Sequence, residues 1–308
     1  MKKQYFLAAL YLCMGISACT LTTSKPETST LVVIEETDSF WKDYFIGNIV
    51  FEDKAPQSEG SHIYHNLIPD VEAYIGKQAR TVLNTLYFSP EDSIAPVYNL
   101  HYSLEDSDGV SAKGGENGEI SIFYSTRHIA KAFENKDTAN VDFETRGVLL
   151  HELTHAYQLE PQGIGSYGTN KVFWAFIEGM ADAVRIANGG FHGENDRPKG
   201  GNYMDGYRCA GYFFVWLRDN KDPDFLRKFN RSTLEVIPWS FDGAIKHVLG
   251  EEYDVDTLWN EYQVAVGEGG NLAASKIRNL ECPNYEICLI DYGCGKFNRK
   301  IHIMEQYP

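Results

Sequence analysis

Residues 147–158, GVLLHELTHAYQ, decide how the chain is read. They contain HExxH on an apolar background, with His151 and His155 four residues apart. On an α-helix that spacing puts both imidazoles on one face, one turn apart. Glu152 stands about 100° round the helix from His151, so its carboxylate can reach a water that a metal between the histidines would hold. Two neutral nitrogen ligands and a carboxylate that takes a proton from that water are what a zinc hydrolase needs. Val148, Leu149, Leu150 and Leu153 predict a buried helix, with Asp142 or Thr145 capping its start. The competing reading is a structural helix whose histidines are satisfied by backbone carbonyls.

A third ligand is expected from the next helix. After a linker rich in Gly, Ser, Pro and Asn comes VFWAFIEGMADAVRIANGG, residues 172–190, an amphipathic helix ending at the Gly189-Gly190 pair. It carries Glu178 and Asp182, again four apart, and two acids on an otherwise apolar stripe need partners. If Glu178 completes the metal site, Asp182 can accept the second ring N–H of a ligating histidine and fix its tautomer. The converse, with Asp182 as the ligand, stays open, as does pairing of either acid with Arg185. Further on, Tyr207 heads a segment with Tyr212, Phe213, Phe214, Trp216 and Leu217 at helical spacing. These read as core, except that Tyr207 could donate a hydrogen bond to a substrate oxyanion. His192, in a glycine-flanked loop, reads as surface rather than as a surplus ligand.

HELTHAYQ, then FIEGMADAVRIANGG, then MDGYRCAGYFFVWLRD resembles the basic secretory protein family of plant and bacterial metallopeptidases. The family pattern runs HExTHxxQ, IEGxADyvR and GYxxxAxFLxWL. The resemblance is strong over residues 143–265 and extends more loosely back to about Ile49, through VFEDKAPQSEGSHIYHNLIPDVEAYI and DGVSAKGGENGEISIFYS. It implies a zinc peptidase of the Glu-zincin type, with His151, His155 and Glu178 as ligands and Glu152 as base. Two features depart from it: the chain is acidic rather than basic, and its cysteine-bearing tail has no counterpart.

The segments before the HExxH helix suit an α+β, zincin-like fold. LVVIEE and IGNIVFED read as strands, PDVEAYIGKQARTVLNTLYF as a helix of about five turns, and PVYNLHYSL as another strand. DGVSAKGGENG reads as a glycine-rich turn before the strand EISIFYS, residues 119–125. An N-terminal mixed sheet with helices would thus precede a mainly helical half carrying the HExxH helix. If EISIFYS is the edge strand beside the cleft, its free backbone groups can pair with an extended peptide. It can equally be just the last strand of the sheet. The stretches around DFLRKF, SFDGAIKHV and DTLWNEYQVAV read as structural helices.

Residues 1–18 have a basic start and an apolar run from Tyr5 to Ile16, too short to span a bilayer, and read as a signal peptide. ISAC at residues 16–19 fits a lipobox, so Cys19 is the expected lipidated first residue of an exported bacterial lipoprotein, anchored in the cell envelope. Residues 19–30 then form a Ser/Thr-rich tether, residues 31–268 the peptidase domain and residues 269–308 a C-terminal extension. Loss of Lys2 and Lys3 with the signal takes the net charge from −15 to −17, which argues against nucleic-acid partners. Cys209, Cys282, Cys288 and Cys294 remain, enough for two disulfides of unassigned pairing. The expected substrate is a peptide or a (glyco)protein. Two rival readings are a zinc hydrolase specific for glycosylated proteins or cell-wall peptides, and a non-catalytic binding lipoprotein stabilised by its metal.

Overall fold

The computed structural model describes residues 40–268. The first half is built on a four-stranded sheet: β1 (Asn48–Asp53), β2 (Asn99–Glu105), β3 (Ser111–Glu116) and β4 (Glu119–Ser125), in spatial order β1-β2-β4-β3. β1, β2 and β4 run parallel, and β3 returns antiparallel along β4 to close one side. The register aligns Phe51, Tyr102, Ile122 and Lys113 in one row across the inner face, and Asp53, Leu104, Tyr124 and Ser111 in the next. Alternation along each strand turns these rows toward the helices and leaves Val50, His101 and Ser121 on the solvent side.

Helices α1 (Glu59–Leu67) and α2 (Val71–Leu86) fill the first crossover, and α3 (Thr126–Ala132) follows the last strand. The HExxH helix is α4, Thr138–Tyr157, and the acid-bearing helix is α5, Lys171–Ala187. Then come α6 (Tyr207–Asn220), α7 (Phe225–Glu235), α8 (Phe241–Leu249) and α9 (Val255–Ala265). α4 is the pivot, since it packs on α2, on α5 and on β3. It brings the sheet edge and the helical half to one place. Behind it, Phe176, Phe214, Phe229, Trp239 and Phe241 interlock edge to face in a buried aromatic core.

The α+β order matches the sequence expectation, and three local expectations are corrected. α4 begins a turn or more earlier than its apolar stripe implies: Asp137, not Asp142 or Thr145, caps it, through a 3.0 Å bond from the Asn140 N–H. Asp142 instead accepts from the Tyr74 hydroxyl, and Thr145 is buried against Tyr124. The glycine-rich segment expected as a turn is mostly strand β3, with the reversal confined to Asn117 and Gly118, both at positive φ. EISIFYS (β4) is therefore interior, paired on both sides, and SAKGGE (β3) is the edge. Among the described residues no helix is long and apolar enough to cross a membrane. The signal segment, Cys19, the tether, LVVIEE, and Cys282, Cys288 and Cys294 lie outside the described residues, whereas Cys209 is disulfide-bonded.

Candidate metal centre

The four-residue spacings on α4 and α5 converge. His151 Nε2 and His155 Nε2 lie 3.1 Å apart, and Glu178 Oε2 is 3.3 Å from the first and 3.6 Å from the second. One ligand atom from each residue falls within 4.8 Å of the others, a spacing that can hold a metal ion. All three residues are largely screened from solvent, with His155 the most accessible. Glu178 Oε2 receives no hydrogen bond although it is buried, and neither does Glu152 Oε1 next to the cluster. A buried carboxylate oxygen without a donor is costly, and a cation among these atoms would remove that cost. Two imidazole nitrogens and a carboxylate oxygen facing one point therefore fit a divalent ion of the borderline class.

Each candidate ligand has a further residue at hydrogen-bond distance. Asp182 Oδ1 lies 2.7 Å from His151 Nδ1, both buried, which puts the proton on Nδ1 and leaves the Nε2 lone pair facing the cluster. His155 Nδ1 lies 2.8 Å from Gln158 Nε2, while Gln158 Oε1 is buried without a partner. Exchanging the two ends of the carboxamide would give Oε1 the Nδ1–H as its donor and free His155 Nε2 to ligate. Tyr167 donates its hydroxyl to Glu178 Oε1 at 2.5 Å. Neither acid pairs with Arg185, contrary to that alternative. The Arg185 guanidinium instead donates to the Gly190 carbonyl at 2.9 Å, meets Glu144 at 3.4 Å and lies over the Phe191 ring.

Electrostatics follow the geometry. Burial works against an imidazolium at His151, but the hydrogen bond that its ring donates to the Asp182 carboxylate and the facing charge of Glu178 overcome it, and its pKa is pushed up to about 10. Burial would raise the Glu178 carboxyl, yet the facing His155 and His151 hold it well below the usual carboxylate range. At Glu152 burial prevails over the two histidines and the pKa is raised. A carboxylate tuned upward in this way is a better proton acceptor near neutral pH. Ser111, on the inner face of the edge strand, lies against this carboxyl and donates its own hydroxyl to the Phe123 carbonyl.

Tyr207 is where α6 starts. Its ring stacks on that of His151, with centroids 6.0 Å apart and planes 13° apart, and Trp174 meets it edge-on. Both Gly206 and Tyr207 have positive φ, 62° and 41°. A Cβ at Gly206 would stand 3.0 Å from the Trp174 ring, so only glycine lets the chain turn this closely over α5. Burial and the nearby carboxylates push the Tyr207 phenol far up, which keeps it a neutral donor. A Cβ on Gly211 would lie 2.9 Å from that of Asp182, so α6 backs directly on the acid that orients His151. His192 is exposed and stacks on Phe143 at 4.2 Å, away from the cluster. Gln158, Tyr167 and Ser111 are missed by motif reading. Only Gln158 left a trace there, as the last residue of HExTHxxQ.

A mixed sheet whose edge abuts α4, with a His–His–Glu group between α4 and α5 that could hold a metal ion, defines the α+β class of this protein. The chain belongs to the basic secretory protein family, described as peptidase of plants and bacteria, whose model matches residues 48–262. That description supports a peptide-bond hydrolase. No curated protein and no solved structure matches the chain.

Proposed function

We propose that the protein is a single-zinc peptidase of the zincin type, held by His151, His155 and Glu178. The carrying observation is the convergence of three ligand atoms within 4.8 Å, from buried His151 and Glu178 and partly buried His155, beside the buried Glu152 carboxyl whose Oε1 lacks a donor. The nitrogen-rich, all-neutral-or-anionic donor set suits zinc among divalent ions. When bound, the ion supplies Lewis acidity at the scissile carbonyl and acidifies water.

The chain's own residues do the rest. Glu152 takes a proton from the attacking water and returns it to the departing amine. Its raised pKa, set by burial, suits both halves of that exchange. Tyr207, neutral and next to His151, donates to the oxyanion as the carbonyl becomes tetrahedral. β3 ends the sheet beside α4, and an extended peptide adding to that edge would run past Glu152. Lipid attachment at Cys19 would tether this activity to the cell envelope.

The test pairs metal content with cleavage for residues 20–308 and for Glu152→Gln. One zinc per chain in both, with cuts in a protein and glycoprotein digest from the wild type only, is the expected result. Zinc in neither protein would return His151 and His155 to a structural role. Cuts by the variant at the wild-type rate would remove Glu152 as the base.

A further inference from the structure

Glu178 faces two ways. Oε2 points at the two histidine nitrogens, and Oε1 is taken by the Tyr167 hydroxyl at 2.5 Å. An ionised carboxylate can only accept, so the phenol is the donor in this short bond.

Tyr167 is also held from its own side. It stands in a turn in which the Thr169 and Asn170 N–H groups both bond the Ser166 carbonyl at 3.0 Å. Asn170 Nδ2 closes the turn on the Ile164 carbonyl at 2.7 Å, while its Oδ1 caps α5. The cap of the ligand helix and the turn that presents Tyr167 are thus one structure. The residue itself is 43% exposed, so its ring is only partly packed while its hydroxyl reaches the buried Glu178.

We infer that Tyr167 is a positioning residue that holds Glu178 as a single-oxygen ligand, so that the carboxylate cannot chelate the ion through both oxygens. The inference rests on the metal centre proposed above. A two-oxygen Glu178 would fill the coordination position that a catalytic site leaves open for water. The Tyr167 bond therefore decides whether the centre is a closed structural site or an open reactive one.

Tyr167→Phe removes only the hydroxyl, and Tyr167→Ala removes the ring as well. Residues 20–308 of each form are loaded with cobalt(II), whose visible absorption is intense when four-coordinate and weak at higher coordination. Zinc dissociation constants are then measured by chelator competition. The expected result for Tyr167→Phe is a fall in cobalt absorption with an unchanged melting profile of the metal-free protein. Zinc binding should weaken about tenfold, the low end for loss of a residue that orients a ligand. An unchanged cobalt spectrum in Tyr167→Phe overturns the inference, whatever the affinity. A change seen in Tyr167→Ala alone assigns Tyr167 to packing and overturns it as well. Failure of the wild type to take up either ion sinks the metal centre itself, a result distinct from both.

Discussion

Asp182 is the residue whose replacement separates the two acids of α5 most cleanly. Its Oδ1 lies 2.7 Å from His151 Nδ1, with both side chains buried. A hydrogen bond of this charge-assisted kind contributes about 1.5–3 kcal/mol. Asp182→Asn keeps an acceptor in place and loses the charge, roughly half of that value. The zinc dissociation constant should then rise about tenfold. Asp182→Ala leaves Nδ1–H buried and unpaired and frees the ring to turn, and the constant should rise about a hundredfold. Glu178→Gln, in contrast, removes a ligand and should take binding out of the measurable range. The assay is competition against a chelator of known zinc affinity, with thermal melts of the metal-free variants to confirm folding. The reasoning fails if folded Asp182→Ala binds zinc as tightly as the wild type. It fails equally if Asp182→Asn abolishes binding while Glu178→Gln weakens it tenfold, since the two acids would then have exchanged roles.

The pH dependence of the metal-free protein follows from His151. Its pKa rises from an ordinary value near 6.5 to about 10 in the folded state, so the stabilisation it confers is complete below about pH 6.5 and is lost as pH climbs through 10. Melts in chelator should fall steadily from pH 7 to 10, and zinc, which needs the neutral ring, should flatten that fall. At low pH the depressed Glu178 contributes the opposite slope, with its stabilisation lost as the carboxylate is protonated. Arg185→Met removes a charged donor from the Gly190 carbonyl and a cation from the face of Phe191, and should cost about 2–4 kcal/mol, read by urea denaturation. An unchanged midpoint would show that the guanidinium does not stabilise the Gly190–Phe191 segment on the end of α5. If Cys19 carries the proposed lipid, Cys19→Ser should abolish incorporation of labelled fatty acid and shift the protein out of the membrane fraction.

The parts of the site that could be read from the sequence are those set by one helix at a time. His151 and His155 share a face and Glu152 flanks it through local geometry, and Glu178 and Asp182 stand out as acids in an apolar stripe. Which acid ligates and which orients depends on the offset between α4 and α5, which no single helix encodes. Tyr167 and Ser111 reach the cluster from a loop and a strand, where no helical period reports direction. The sheet order was hidden for a related reason. β1 and β2 pair in parallel across 51 residues, and SAKGGE carries the glycines that strands usually avoid. α4 started earlier than expected because its first three turns, TANVDFETRG, are polar enough to hide the helix from a search for an apolar stripe.

The turn that carries Tyr167 has a consequence for how such a protein diversifies. Residues 159–170 bond largely among themselves, and the loop is pinned to the rest by a few contacts, such as the Leu159 N–H on Asn230 and the Trp239 N–H on the Gln162 carbonyl. Its remaining side chains are mostly exposed. Drift among those exposed residues can therefore reshape the surface around Tyr167 while the paired helices and their carboxylates stay in register. What ties this variable surface to the candidate centre is the Tyr167 hydroxyl on Glu178 Oε1.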